Sequence, residues 1–97
     1  QASDYQKSER DFAFVIDKDY QVGTLENIIT GIDPLIIKSV SIFDVFEGGN
    51  LPKEKKSVAI SVSIQSDNKT LSENDLNLIS EKIIKKVQQQ TGGIIRS

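Results

Sequence analysis

Residues 41–64, SIFDVFEGGNLPKEKKSVAISVSI, hold two apolar stretches joined by a glycine pair, a proline and a run of lysines. In the second stretch Val58, Ile60, Val62 and Ile64 alternate strictly with Ser57, Ala59, Ser61 and Ser63. That period of two marks a strand with one face buried and the other small and polar. The first stretch, rich in β-branched and aromatic residues, reads as its partner strand and begins upstream in LIIKSVSIFDVFEG, residues 35–48. Its pattern changes phase in the middle: Val40 and Ile42 are apolar at even positions, Phe43 and Val45 at odd ones. A β-bulge near Ile42 and Phe43 absorbs that slip, and beyond it Asp44 and Phe46 face away from the core. Gly48, Gly49 and Pro52 supply the turn chemistry of a hairpin connection.

Outward from this hairpin the same arguments place the remaining elements. In RDFAFVID, residues 10–17, Phe12, Phe14 and Ile16 alternate with Asp11, Ala13 and Val15, a first strand. QVGTLENIITGID, residues 21–33, reads as a short helix with Thr24 as its cap, Leu25, Ile28 and Ile29 on one side, and Gly31 and Pro34 as stop signals. TLSENDLNLISEKIIKKVQQQ, residues 70–90, carries Leu76, Ile79, Ile83 and Val87 at helical spacing. Ser72 with Asp75 three residues on makes a capping-box variant at its start. Gly92 and Gly93 end this helix, and Ile94 and Ile95 suggest a short last strand. The order β-α-β-β-α-β is the ferredoxin-like α+β arrangement, a four-stranded antiparallel sheet with both helices on one face. Residues 1–9, polar and patternless, read as an approach segment, and residues 10–97 as the folded domain. Such a fold assigns no function by itself.

Composition narrows the chemistry. Ninety-seven residues with 37% hydrophobic and 27% charged content suffice for one domain around one core. Folding at this size buries roughly two-thirds of the chain's surface, so neither metal nor disulfide is required. The chain has no cysteine and no histidine. Thiol chemistry, zinc sites and the most frequent general base fall away together, leaving carboxylates, lysine or serine as catalytic groups. No apolar run approaches ~18 residues and QASDYQKSERD has no signal core, so membrane insertion and secretion find no support. The first residue is not Met, as expected of a fragment or processed chain. With 12 basic and 14 acidic side chains the net charge of −2 gives no global field for nucleic acid, so any RNA contact is local. Two lysine clusters, Lys53, Lys55, Lys56 and Lys82, Lys85, Lys86, read first as solvated surface.

Several motifs fail on inspection. A phosphate loop needs GxxxxGK[ST] between a strand and a helix, whereas EGGNLPKEKKS joins two strands with the wrong glycine spacing. Nothing in the spacing of Asp11, Asp17, Asp44 and Glu47 forces two carboxylates into one cleft. An RNA-recognition motif would carry aromatics on the third strand, and KSVAISVSI has none. Phe46 beside Asp44 remains, flanked on the open face by the small residues Ala13, Ser57 and Ala59. That is either a stacking ring with an acceptor for base N–H groups or an ordinary amphipathic sheet. Lys53, Lys55 and Lys56 at its edge are suited to a phosphodiester backbone.

RDFAFVID, SVSIFDVFEGGNLPKEKKSVAISVSIQS and TLSENDLNLISEKIIKKVQQQTGGIIRS resemble the ferredoxin-fold anticodon-binding domain of the bacterial phenylalanyl-tRNA synthetase beta subunit. The resemblance runs from about residue 8 to the end and is densest where the family shows F-D-V-Y, a glycine, L-P and K-K-S. It implies a domain that grips the anticodon stem-loop of phenylalanine tRNA. Phe46 would stack on the first anticodon base, Asp44 would accept hydrogen bonds from its edge, Ala13 and Ser57 would border the pocket, and Arg96 would add charge or a stacking plane. Lys53, Lys55 and Lys56 would be possible backbone contacts. The resemblance places catalysis in another subunit, so this chain would hold no catalytic residue, metal or cofactor. The whole cytoplasmic enzyme would use ATP, magnesium and phenylalanine and assemble two alpha with two beta subunits. Phe46 replaces the family's usual tyrosine, and Glu47 stands where a basic residue is common. With stacking worth about 1–3 kcal/mol per base, weak and salt-sensitive tRNA binding is expected. The rival is a ferredoxin-like regulatory or interaction module resembling ACT domains, for which IDKDYQVG, residues 16–23, is a poor version of the glycine-bearing turn.

Overall fold

The alternation that runs through Ser57–Ile64 leaves a strand with two usable edges and two unlike faces, and the fold is organised on it. A computed structural model describes residues 7–95 of the chain. Across them the chain forms β1 (Ser8–Asp17), α1 (Val22–Thr30), β2 (Ile37–Glu47), β3 (Lys55–Ile64), α2 (Glu73–Thr91) and β4 (Ile94–Ile95). The sheet order is β2-β3-β1-β4, with every neighbouring pair antiparallel. This is the expected ferredoxin-like α+β fold. β1 starts earlier than the expected boundary at Arg10: Ser8 pairs with Ile64 and Glu9 with Ser63, because β3 is long enough to keep the ladder going.

One face of the sheet meets both helices. Phe12, Phe14 and Ile16 of β1, Ile37 of β2, and Val58, Ile60, Val62 and Ile64 of β3 are buried there. Leu25 and Ile29 of α1 and Leu76, Ile79, Ile83 and Val87 of α2 close over them. The rings of Phe12 and Phe14 lie nearly parallel with centroids 6.0 Å apart. Each such apolar side chain contributes roughly 1.5–3 kcal/mol on leaving water, and their sum opposes the chain entropy lost on folding.

The ends of the helices show where local chemistry decides and where packing does. At α2 the expected capping box is formed: the Asp75 N–H donates to Ser72 Oγ at 3.1 Å and the Ser72 N–H to Asp75 Oδ2 at 3.0 Å. The bond from the Ser72 backbone N–H to its carboxylate holds Asp75 below its ordinary pKa, with the Ser72 hydroxyl and Lys69 adding to the effect. Gly92 ends the helix in the left-handed conformation, φ 71°, its N–H donating to the Gln88 carbonyl at 2.9 Å. Gly93 then passes so near β1 that a Cβ would stand 2.6 Å from Ile16 Cγ2 and 2.7 Å from the Val15 carbonyl oxygen. Only glycine lets β4 reach the sheet there. At α1 the expected cap is displaced. Gln21, extended at ψ 121° and without a side-chain cap, precedes the helix, while Thr24 lies inside the first turn with its N–H on the Gln21 carbonyl. Val22 packs against the core, and that contact sets the helix start in place of a hydroxyl cap.

Candidate nucleic-acid interface

The phase change in β2 is a structural irregularity at the expected place. Ile42 pairs with Ile60, but Asp44 pairs with Ala59, so Phe43 is an extra residue in the strand. Beyond it Val45 pairs with Val58 on the helix side, and Phe46 pairs with Ser57 on the open side. A second shift, between Ile37 and Ser39, had no signature in the apolar pattern. Since paired residues share a face, two rows cross the open side of the sheet. One is Asp44, Ala59, Ala13; the other is Phe46, Ser57, Val15. Four predicted residues, Ala13, Asp44, Phe46 and Ser57, are therefore together on the surface that carries no helix. Phe46 is 46% exposed and Asp44 is exposed, while Ser57, in the middle strand, is buried by its neighbours.

The glycine pair has a more specific use than turning the chain. Gly48 and Gly49 both adopt positive φ, 91° and 60°. A Cβ on Gly49 would come within 3.1 Å of Phe46 Cζ and 3.2 Å of Phe46 Cε2, whereas one on Gly48 would meet nothing within 4 Å. The loop thus closes down on the edge of the Phe46 ring at a residue that has no side chain. Sequence reading missed this contact. A glycine three residues after an outward-facing aromatic was its signal.

The lysines divide. Lys53 is exposed in the β2–β3 loop. Lys55 points to the open face, its ammonium 2.5 Å from Asp17 Oδ1 on the neighbouring strand. Lys56 does not join them as a backbone contact: it is buried on the helix side, and its Nζ donates to the Tyr20 carbonyl at 2.7 Å. The reason is parity, since Lys56 continues the even series of Val58 and Ile60. Glu47 pairs with Lys56 and so leaves the open face as well. Of the four carboxylates, Asp17 is engaged with Lys55, and Asp11 lies opposite Ser61, one row along and two strands across from Asp44. Lys82, Lys85 and Lys86 border a surface cleft with Gly31 and Ile32 in the helix layer, on the other side of the sheet from Phe46. Arg96 lies outside the described residues. Among the described residues no three His, Asp or Glu side chains gather where they could hold a metal ion, and no helix is long and apolar enough to cross a membrane.

Comparison with known proteins bears on this surface. The family model of the ferredoxin-fold anticodon binding domain matches residues 3–96. The phenylalanine–tRNA ligase beta subunit of Rickettsia prowazekii is 43% identical over 94 residues, which is 97% of this chain and 12% of that protein. That of Mesorhizobium japonicum is 45% identical over 94 residues, again 97% and 12%. The beta subunit of Ruegeria pomeroyi is 46% identical over 93 residues, 96% of this chain and 12% of that protein. The chain therefore spans about 12% of the length of these relatives.

Proposed function

Because the chain belongs to the ferredoxin-fold anticodon-binding domain family, we propose that its open sheet face holds the anticodon stem-loop of phenylalanine tRNA. The observation that carries this reading is the setting of Phe46. A half-exposed ring stands on the helix-free face, with an exposed carboxylate in the next row and small residues around it. A base laid on that ring is stabilised by stacking, and the Asp44 carboxylate, an acceptor only, suits a base edge that presents N–H donors. Ala13, Ala59 and Ser57 leave the space a base requires. Lys53, exposed in the adjoining loop, is suited to a phosphate, and Arg96 keeps only the role the family resemblance gives it, a charge or a stacking plane. Lys55 reaches it already paired with Asp17.

In this reading the chain is the non-catalytic tRNA-gripping part of a phenylalanine–tRNA ligase beta subunit that works in the cytoplasm with alpha subunits, two of each. ATP and magnesium serve the aminoacylation chemistry of the rest of that enzyme. Among the described residues no group of three or more His, Cys, Asp or Glu side chains could hold that ion.

Titration of the chain with an RNA stem-loop of the phenylalanine anticodon arm tests the reading. Phe46→Ala should weaken binding by about 1–3 kcal/mol, Phe46→Tyr should retain it, and the melting temperature should stay within a few degrees. Equal affinity for stem-loops with unrelated anticodons would reduce the interaction to nonspecific phosphate contact.

A further inference from the structure

Val15 carries the Phe46 row further across the sheet. Its partner in β3 is Ser57 and its partner in β4 is Ile94, so Phe46, Ser57, Val15 and Ile94 form one line over all four strands on the open face. At the β1–β4 end of this line Val15 and Ile94 border a cleft of about 330 Å3, with Leu51, Pro52, Lys55 and Gly92 as the remaining walls. Ile94 is 60% exposed. Lys55 is the one charged lining residue, and its ammonium is already held by Asp17. The cleft thus offers mainly apolar surface, with Lys55 anchored at its rim by Asp17, a setting that favours a flat apolar occupant.

What selects the occupant is continuity with the Phe46 row, on a face whose family binds anticodons. Two strand spacings, about 10 Å, separate Val15 from Phe46. Successive stacked nucleotides advance only about 3.4 Å, so a base stacked directly on the one at Phe46 does not reach the cleft. A base splayed away from its neighbour does, and loop bases recognised by proteins are commonly splayed in this way. We propose that the cleft is a second base subsite, in which Val15, Ile94, Leu51 and Pro52 hold an unstacked nucleobase of the same RNA loop by its ring faces. This rests on the anticodon-binding reading of the Phe46 surface. A cleft with mainly apolar walls grips the ring more than its edge, so it accepts any base and rejects an abasic position.

The test uses the chain and an anticodon-arm stem-loop whose loop nucleotides are made abasic one at a time. Two loop positions should each lose about fivefold or more in affinity when the base is removed. Sensitivity at one should vanish in Phe46→Ala, and sensitivity at the other in both Ile94→Ala and Leu51→Ala. At the second position, exchanging the base should cost less than removing it. A bound stem-loop with a single sensitive position, coupled to Phe46 alone, overturns the subsite and leaves the proposed function standing. A stem-loop that fails to bind overturns the proposed function itself. Unchanged RNA affinity in Ile94→Ala, with loss of self-association in its place, gives the cleft to a protein side chain and also overturns the subsite.

Discussion

Phe14 and Phe46 are the same amino acid in the same sheet, separated by one strand, and their circumstances are opposite. Phe14 is fully buried against the helices, with Phe12 stacked beside it, while Phe46 is 46% exposed on the far face with its edge under Gly49. Both positions are even-numbered in strands of period two. Without the extra residue at Phe43, Phe46 would continue the series of Val40 and Ile42 and point toward the helices. Hydrophobicity alone therefore does not say whether an aromatic is core or contact; register does.

The largest expected effect that would sharpen this contrast is on stability. Phe14→Ala should cost about 3–5 kcal/mol, visible as a lower urea midpoint, while the same truncation at Phe46 stays within the small range of surface changes. A loss at Phe46 as large as that at Phe14 would break the comparison and return Phe46 to the core. Next in size are the two loop glycines. Gly48→Ala and Gly49→Ala each place an L-residue at positive φ, at about 1–2 kcal/mol. Only Gly49→Ala also pushes on the Phe46 ring, so only it should weaken RNA binding beyond its effect on stability. Equal RNA affinities for the two variants would mean that the Gly49 contact does not position the ring.

The smallest effects belong to the helix layer and should leave RNA binding alone. Ser72→Ala should cost about 1 kcal/mol through the lost cap. Because folding lowers the Asp75 pKa below its ordinary value of 3.8, the stabilisation it gives is present above that value. It is lost as the pH falls through the lowered one. Melting curves should therefore show acid destabilisation that is weaker in Ser72→Ala, where the partner of the carboxylate is disturbed.

Much of this architecture was legible because period-two and helical patterns are direct images of burial. Val58–Ile64 and Leu76, Ile79, Ile83, Val87 needed nothing else, and the phase slip at Ile42 and Phe43 announced its own bulge. The start of α1 was not legible, since Val22 packing on the core, and not a hydroxyl, fixes it. Lys56 belongs by composition to a charge cluster with its neighbours, although its parity with Val58 assigns it to the helix side; a carbonyl at Tyr20 makes that burial tolerable. The cleft at Val15 and Ile94 was out of reach, because which strands become neighbours in space is a property of the sheet order β2-β3-β1-β4 and not of any one segment.

The bulge has one more consequence. β2 is an edge of the sheet, and an uninterrupted edge is a template on which another chain can add a strand. Its two register shifts, between Ile37 and Ser39 and between Ile42 and Asp44, divide that free hydrogen-bonding rim into short runs. The irregularity that turns Asp44 and Phe46 outward is thus also a guard against aggregation, resisting edge-to-edge growth where the edge strand exposes the rings of Phe43 and Phe46.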